Sequence, residues 1–158
     1  MGAPHSRCQR VRALLAFVAM MGAVVGIARA ADFRSVGEGG ATLYDAPSAK
    51  ARPLFVASRG LPVEVISTDG SWVKVRDPAG DLAWIDGKAL SRRRTVLALV
   101  RVLDVRERAD EQSAVVLQVS EGVLLDLVEA AESHPGWLQV RHRDGAAGFV
   151  RVGQVWGG

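Results

Sequence analysis

The chain is almost without cysteine: Cys8 is the only one. A disulfide needs two, so no intrachain bridge can hold the molecule together. Histidine is nearly as scarce, and beyond His5 only His134 and His142 remain. Zinc sites gather three or four ligands, and these two histidines lie in a Pro-Gly turn and at a strand end. Asp77, Asp81 and Glu64 lack the spacing of a calcium loop. No Gly-x-Ser-x-Gly elbow occurs, and a thiolate nucleophile would have to be Cys8. The phrase "GEGG" (Gly37–Gly40) has no Lys or Ser/Thr at phosphate-loop spacing, so it reads as a lead-in. These absences predict a protein that is not an enzyme and uses neither metal nor cofactor.

Long hydrophobic runs are missing too, except for one. Arg7, Arg10 and Arg12 precede an uninterrupted small and apolar stretch, Ala13–Ile27, and Ala28-Arg29-Ala30 follows. That is the layout of a secretory signal peptide, expected over residues 1–30. The run is shorter than the roughly 20 residues that span a bilayer. Cys8 precedes it, the wrong side for a lipoprotein cysteine. The expected location is periplasmic, after export across the inner membrane, with no other membrane contact. Taking away Arg7, Arg10, Arg12 and Arg29 leaves 16 basic residues against 17 acidic ones, a net charge of −1. The pI near 9.6 therefore belongs to the targeting segment. A nucleic-acid partner needs a basic face on the folded domain, and none is expected.

What remains is written twice. "GSWVKVRD" (Gly70–Asp77) returns as "PGWLQVRH" (Pro135–His142). Gly60 matches Gly122, and Val63, Val65 and Ile66 match Leu125, Leu127 and Val128 at the same offset. The second copy then gains three residues within Glu129–Gly136, a cheap place for them because loop-closure cost rises slowly with length. Beyond it Gly80 matches Gly145, and Trp84 matches Phe149. Two copies are too few for a solenoid. They read as two small domains, 31–90 and 95–158, with residues 91–94 as linker.

Val63, Val65, Val73 and Val75 alternate with polar residues, the period of a strand with one buried face. Asp69-Gly70, the Pro78–Gly80 turn and Asp144-Gly145 punctuate the strands. Short strands with frequent turns predict an all-β fold, and closing each set into a barrel removes its edges. Thr95–Val102, "TVLALVRV", is a candidate strand shared across the joint. Arg92-Arg93-Arg94 reads as a solvated linker that keeps the joint polar.

These landmarks resemble the bacterial Src-homology-3-like (SH3-like) domain, which carries an "L-x-V-R-x-x-P-S" phrase, a "G-x-W-x-x-V" strand, a Gly turn and a closing "G-W/Y-V…L" strand. The first copy offers "LYDAPS" (Leu43–Ser48), "GSWVKV" and "LAWIDGKAL" (Leu82–Leu90); the second offers "LDVRERAD" (Leu103–Asp110), "GWLQV", "DGAAGFV" and "VGQVW". Tyr44-Asp45 stands where Val-Arg is usual, and Ala109-Asp110 where Pro-Ser is usual. The resemblance implies two tandem small SH3-like barrels of five or six strands each. It implies non-catalytic modules that recognise cell-wall peptides or envelope proteins. The groove it implies is lined by Tyr44, Asp45, Trp72 and Trp84 in the first copy and by Arg106, Glu107, Trp137 and Phe149 in the second.

The residues themselves support the aromatic part of that set. Trp72 and Trp137 each precede a core-facing position, so alternation points them outward or to the rim. Rings give large rigid contact area for an extended peptide. Trp156 reads as a terminal plug. Two readings follow: a wall-peptide module with open grooves in both copies, or a protein-binding scaffold whose aromatics are buried between the barrels.

Overall fold

The computed structural model describes residues 31–158; the signal-peptide reading of residues 1–30 lies outside them. The first half contains strands β1 (Phe33–Val36), β2 (Ala41–Tyr44), β3 (Pro53–Ala57), β4 (Pro62–Asp69), β5 (Trp72–Arg76), β6 (Leu82–Asp86) and β7 (Leu90–Ser91). The second contains β8 (Thr95–Ala98), β9 (Val102–Arg106), β10 (Val115–Ser120), β11 (Leu124–Glu129), β12 (Trp137–Arg141), β13 (Ala147–Arg151) and β14 (Val155–Trp156). A single 3-10 turn precedes the last strand of each half, Gly87–Ala89 and Val152–Gln154.

The hydrogen-bonded order is β3-β2-β6-β5-β4-β1-β7 in one sheet and β10-β9-β13-β12-β11-β8-β14 in the other. The two orders are the same order written twice. Each sheet has seven strands rather than the five or six implied by the resemblance, because a two-residue closing strand pairs beside β1 in one and β8 in the other. The inward side chains of six strands of the first half meet in one cluster: Val36, Leu43, Ala57, Val63, Val73, Val75, Ala83 and Ile85. A flat sheet could not bring those strands together, so the sheet wraps around its core. The second half repeats this with Val96, Leu103, Val105, Leu125, Leu138, Val140 and Val150. The all-β, two-barrel expectation is met.

The repeated glycines are required by backbone shape. Gly60 and Gly122 have φ of 76° and 82°, and Gly80 and Gly145 have 95° and 98°, values that a Cβ penalises. Four of the exposed apolar residues have a shared cause. Ile66 and Val128 fall at register shifts of β4 and β11, and Leu54 and Val116 at shifts of β3 and β10. A bulge rotates the extra residue off the inner face, and all four are exposed.

The joint differs from the sequence reading. Thr95–Val102 is not one strand, and it is not shared: β8 stops at Ala98, pairs with β11 and β14, and a bend separates it from β9. The linker is also built into the structure. Ser91 pairs with Ser35, the Arg93 guanidinium holds both oxygens of Asp126 at 3.1 and 2.6 Å, and Arg94 donates to the Gly157 carbonyl at 2.9 Å. Donating these hydrogen bonds to Asp126 raises the Arg93 pKa. Beneath them two buried hydroxyls close a chain of bonds. Thr95 gives its hydroxyl proton to the Gly60 carbonyl, so Ser35 must donate to Thr95 Oγ1 at 2.8 Å, and the Thr95 amide donates to Ser35 Oγ at 2.9 Å. Both hydroxyls are satisfied within the protein, as burial demands. Trp156 is more than a terminal plug. Its ring meets Phe33 edge-on at 5.1 Å and its Nε1 donates to the Pro62 carbonyl at 3.2 Å, which fastens the second barrel to the first.

Candidate functional site

On β2, β6 and β5 the alternation that sends Leu43, Ala83, Ile85, Val73 and Val75 inward leaves Tyr44, Trp84, Asp86, Trp72 and Lys74 on the outer face. Register brings them together. Tyr44 lies opposite Trp84, Trp84 opposite Lys74, and Trp72 opposite Asp86. The Tyr44 and Trp72 rings meet at right angles with centroids 5.5 Å apart, the edge-to-face geometry that ring quadrupoles favour. Both remain partly exposed. The Lys74 ammonium stands 5.9 Å from the Trp84 ring.

Asp45 does not join this corner. It lies just past β2, where its carboxylate accepts from the Arg52 backbone and guanidinium at 3.1 and 3.2 Å and closes the following turn. The carboxylate facing Trp72 is Asp86 instead, with one oxygen accepting from the Lys88 amide at 3.0 Å. Sequence reasoning passed over Asp86. Its signal was present, because the offset that equates Trp72 with Trp137 equates Asp86 with Arg151.

That substitution changes the second copy. Trp137 starts β12 opposite Arg151, and the guanidinium covers the indole at 4.3 Å. Glu111 holds the guanidinium, accepting from its Nε at 2.8 Å. Trp137 is consequently 6% exposed, so its groove is not the open one expected of both copies. Its face remains the outer one, and its own barrel's arginine covers it. Arg106, at the place of Tyr44, donates to the Ser113 carbonyl at 2.8 Å and to Asp104 at 3.3 Å. What is left beside Trp137 is a cavity of about 80 Å³ bordered by Asp104, Arg106, Glu111 and Arg151. Glu107 is exposed and lies apart, 3.9 Å from Arg108. Phe149 pairs opposite Gln139 and carries His134 against its ring at 4.9 Å. The three-residue insertion therefore has a visible result: it lays a side chain over Phe149. Thus Tyr44, Trp72 and Trp84 converge, Arg106 and Trp137 are brought together beneath Arg151, and Asp45 and Glu107 stand outside.

A larger concavity, of about 760 Å³, lies where the barrels meet, between the turns carrying Gly60 and Gly122. Among the described residues no three His, Cys, Asp or Glu side chains gather in a metal-holding group.

No curated protein matches the chain. Among solved structures it is similar to the NlpC2 protein of Trichomonas vaginalis at 11% identity and a TM-score of 0.37, covering 80% of this chain and 48% of that one. It is also similar to NlpC1 of the same organism at 12% identity and a TM-score of 0.38, covering 82% of this chain and 47% of that one. The chain thus spans about half the length of these proteins. A model of the bacterial SH3 domain matches twice, over residues 37–92 and 101–157, each match falling on one of the two barrels. With both halves matched in order and both built on one strand order, the chain belongs to the bacterial SH3 domain family, as two tandem copies.

Proposed function

We propose that the chain is a non-catalytic, exported binding module of the periplasm, and that its first barrel recognises cell-wall (peptidoglycan) peptides. The observation that carries this reading is the Tyr44–Trp72 corner. It is a partly exposed aromatic pair with the Asp86 carboxylate opposite, and among the described residues no cation covers Trp72. In the second barrel the same spot holds the Arg151 guanidinium over Trp137. The first barrel is thus shaped for a cationic group that it does not supply itself. A wall peptide presenting a free amine over Trp72 gains a cation–π contact of about 0.5–2 kcal/mol and the Asp86 charge. Trp84 extends the platform for the rest of an extended chain.

The first copy carries recognition in this reading, and the second serves as a closed partner. The test is sedimentation of residues 31–158 with intact peptidoglycan sacculi, beside Trp72→Ala and Trp137→Ala forms checked for folding. Wild type should pellet, and folded Trp72→Ala should stay in solution. If wild type stays in solution, the wall-peptide reading fails. An envelope-protein scaffold is then favoured, for which the hydrogen-bonded joint between the barrels is the supporting observation.

A further inference from the structure

The cleft where the barrels meet has chemistry opposite to that of the aromatic corner. Four guanidiniums line it, from Arg59, Arg93, Arg141 and Arg143, with the His142 imidazole among them; the carboxylates are Glu38 and Asp126. Both carboxylates are already engaged, Glu38 by Arg59 at 2.7 Å and Asp126 by Arg93 at 2.6 Å. The repeat shows how the excess arises. In the first barrel Arg76 lies opposite Glu64 and is neutralised by it at 3.0 Å. In the second barrel Arg141 lies opposite Asp126, the equivalent residue, but Arg93 has drawn that carboxylate away. Arg143, where the first copy has Pro78, adds a further cation. Among the described residues neither Arg141 nor Arg143 has an ion-pair partner. This concentration of positive charge occurs on a chain whose residues 31–158 carry a net charge of −1.

We propose that this cleft is a binding site for a small ligand carrying two or more negative charges, as carboxylates or phosphates. Its volume, about 760 Å³, lies in the range of small-molecule sites. Guanidiniums grip both anions through paired N–H donors. Gly122 and Gly145, on its walls, have open space where a side chain would stand, so a ligand can reach the backbone. The site is separate from the aromatic corner and does not rest on the wall-peptide reading.

The test is titration of ¹⁵N-labelled residues 31–158 at low ionic strength, once with pyrophosphate and once with tricarballylate. Saturable shifts of the Gly60, Gly122 and Gly145 amides are expected from at least one probe, and the tighter of the two names the anion. Arg141→Ala with Arg143→Ala should weaken binding about tenfold or more. Arg108→Ala, an exposed arginine outside the cleft, and Trp72→Ala should leave it unchanged. Arg141 and Arg143 are exposed, so the variants keep their fold, and their amide spectra verify it. Shifts that never saturate with either probe, or binding as strong in the double variant as in wild type, overturn the proposal.

Discussion

The two barrels share a strand order, two pairs of turn glycines and their bulge positions, yet they differ at the register pair that holds the repeated tryptophan. Trp72 faces Asp86, and Trp137 faces Arg151. In the first barrel the indole edge is left for something else, and in the second an arginine clamped by Glu111 covers the ring. The scaffold thus fixes where an aromatic is displayed, while one residue on the neighbouring strand decides whether it is available. The comparison also separates two roles that one residue type can hold. Trp137 is part of the packed structure, and Trp72 is presented by it.

The largest effect should come from testing that difference directly. Trp137→Ala removes a ring that is 6% exposed, at a cost of about 3 kcal/mol or more. Trp72→Ala removes a partly exposed ring and should cost about 1 kcal/mol, from its buried share and the lost edge contact with Tyr44. Urea unfolding followed by circular dichroism reads both. Equal losses would break the comparison, since they would make Trp72 as structural as its counterpart.

A second contrast lies inside the sheets. Gly148 of β13 occupies the inward position held by Ala83 in β6. A Cβ at Gly148 would run into the Arg106 carbonyl and lie 2.9 Å from a Val105 methyl, so β9 must move away to admit it. Gly148→Ala should therefore destabilise the protein by about 2 kcal/mol. Ala83→Gly, the reverse exchange, should cost about 1 kcal/mol through chain entropy and the lost methyl. Denaturation midpoints of the two variants test the ordering; a neutral Gly148→Ala would show that β9 and β13 pack no closer than β2 and β6.

Much of this was legible in the sequence, for a local reason. A glycine at positive φ and a tryptophan before alternating valines are demands of single strands and turns, so they recur wherever the fold recurs. The barrels followed from them, and the resemblance those landmarks carry implied the set of Tyr44, Asp45, Trp72 and Trp84. The occupied second groove was not legible. Glu111 and Arg151 are 40 residues apart and lie on a loop and a strand that only the closed sheet brings together. Strand β1, "FRSV", was also hidden: it precedes the glycine-rich lead-in, and its counterpart "TVLA" matches it at no position. The bonds that tie the linker down were not legible either, because tertiary partners, Asp126 and Gly157, set the fate of Arg93 and Arg94.

The smallest expected effect separates the two copies at one hairpin. The first copy turns through Asp77, whose Oδ1 accepts from the Asp81 amide at 2.8 Å. The second has His142 at that place, and the carboxylate moves to Asp144, which accepts from the Ala146 amide at 3.0 Å and lies 2.9 Å from His142 Nδ1. The Ala146 hydrogen bond first, then the His142 imidazole, hold the Asp144 pKa below the usual aspartate value. A carboxyl whose folded pKa is depressed adds stability that is complete above its unfolded value. That stability disappears as pH falls through the folded one. The loss should thus occur below about pH 4, the ordinary aspartate range. Because Asp144 is fully exposed the effect is small. Asp144→Asn should remove its share of the acid-side slope in stability and leave the neutral-pH value nearly unchanged. A slope identical to wild type, measured by urea unfolding from pH 3 to pH 7, would place the titrating carboxylates elsewhere, with Asp77 of the first barrel's hairpin the next to test.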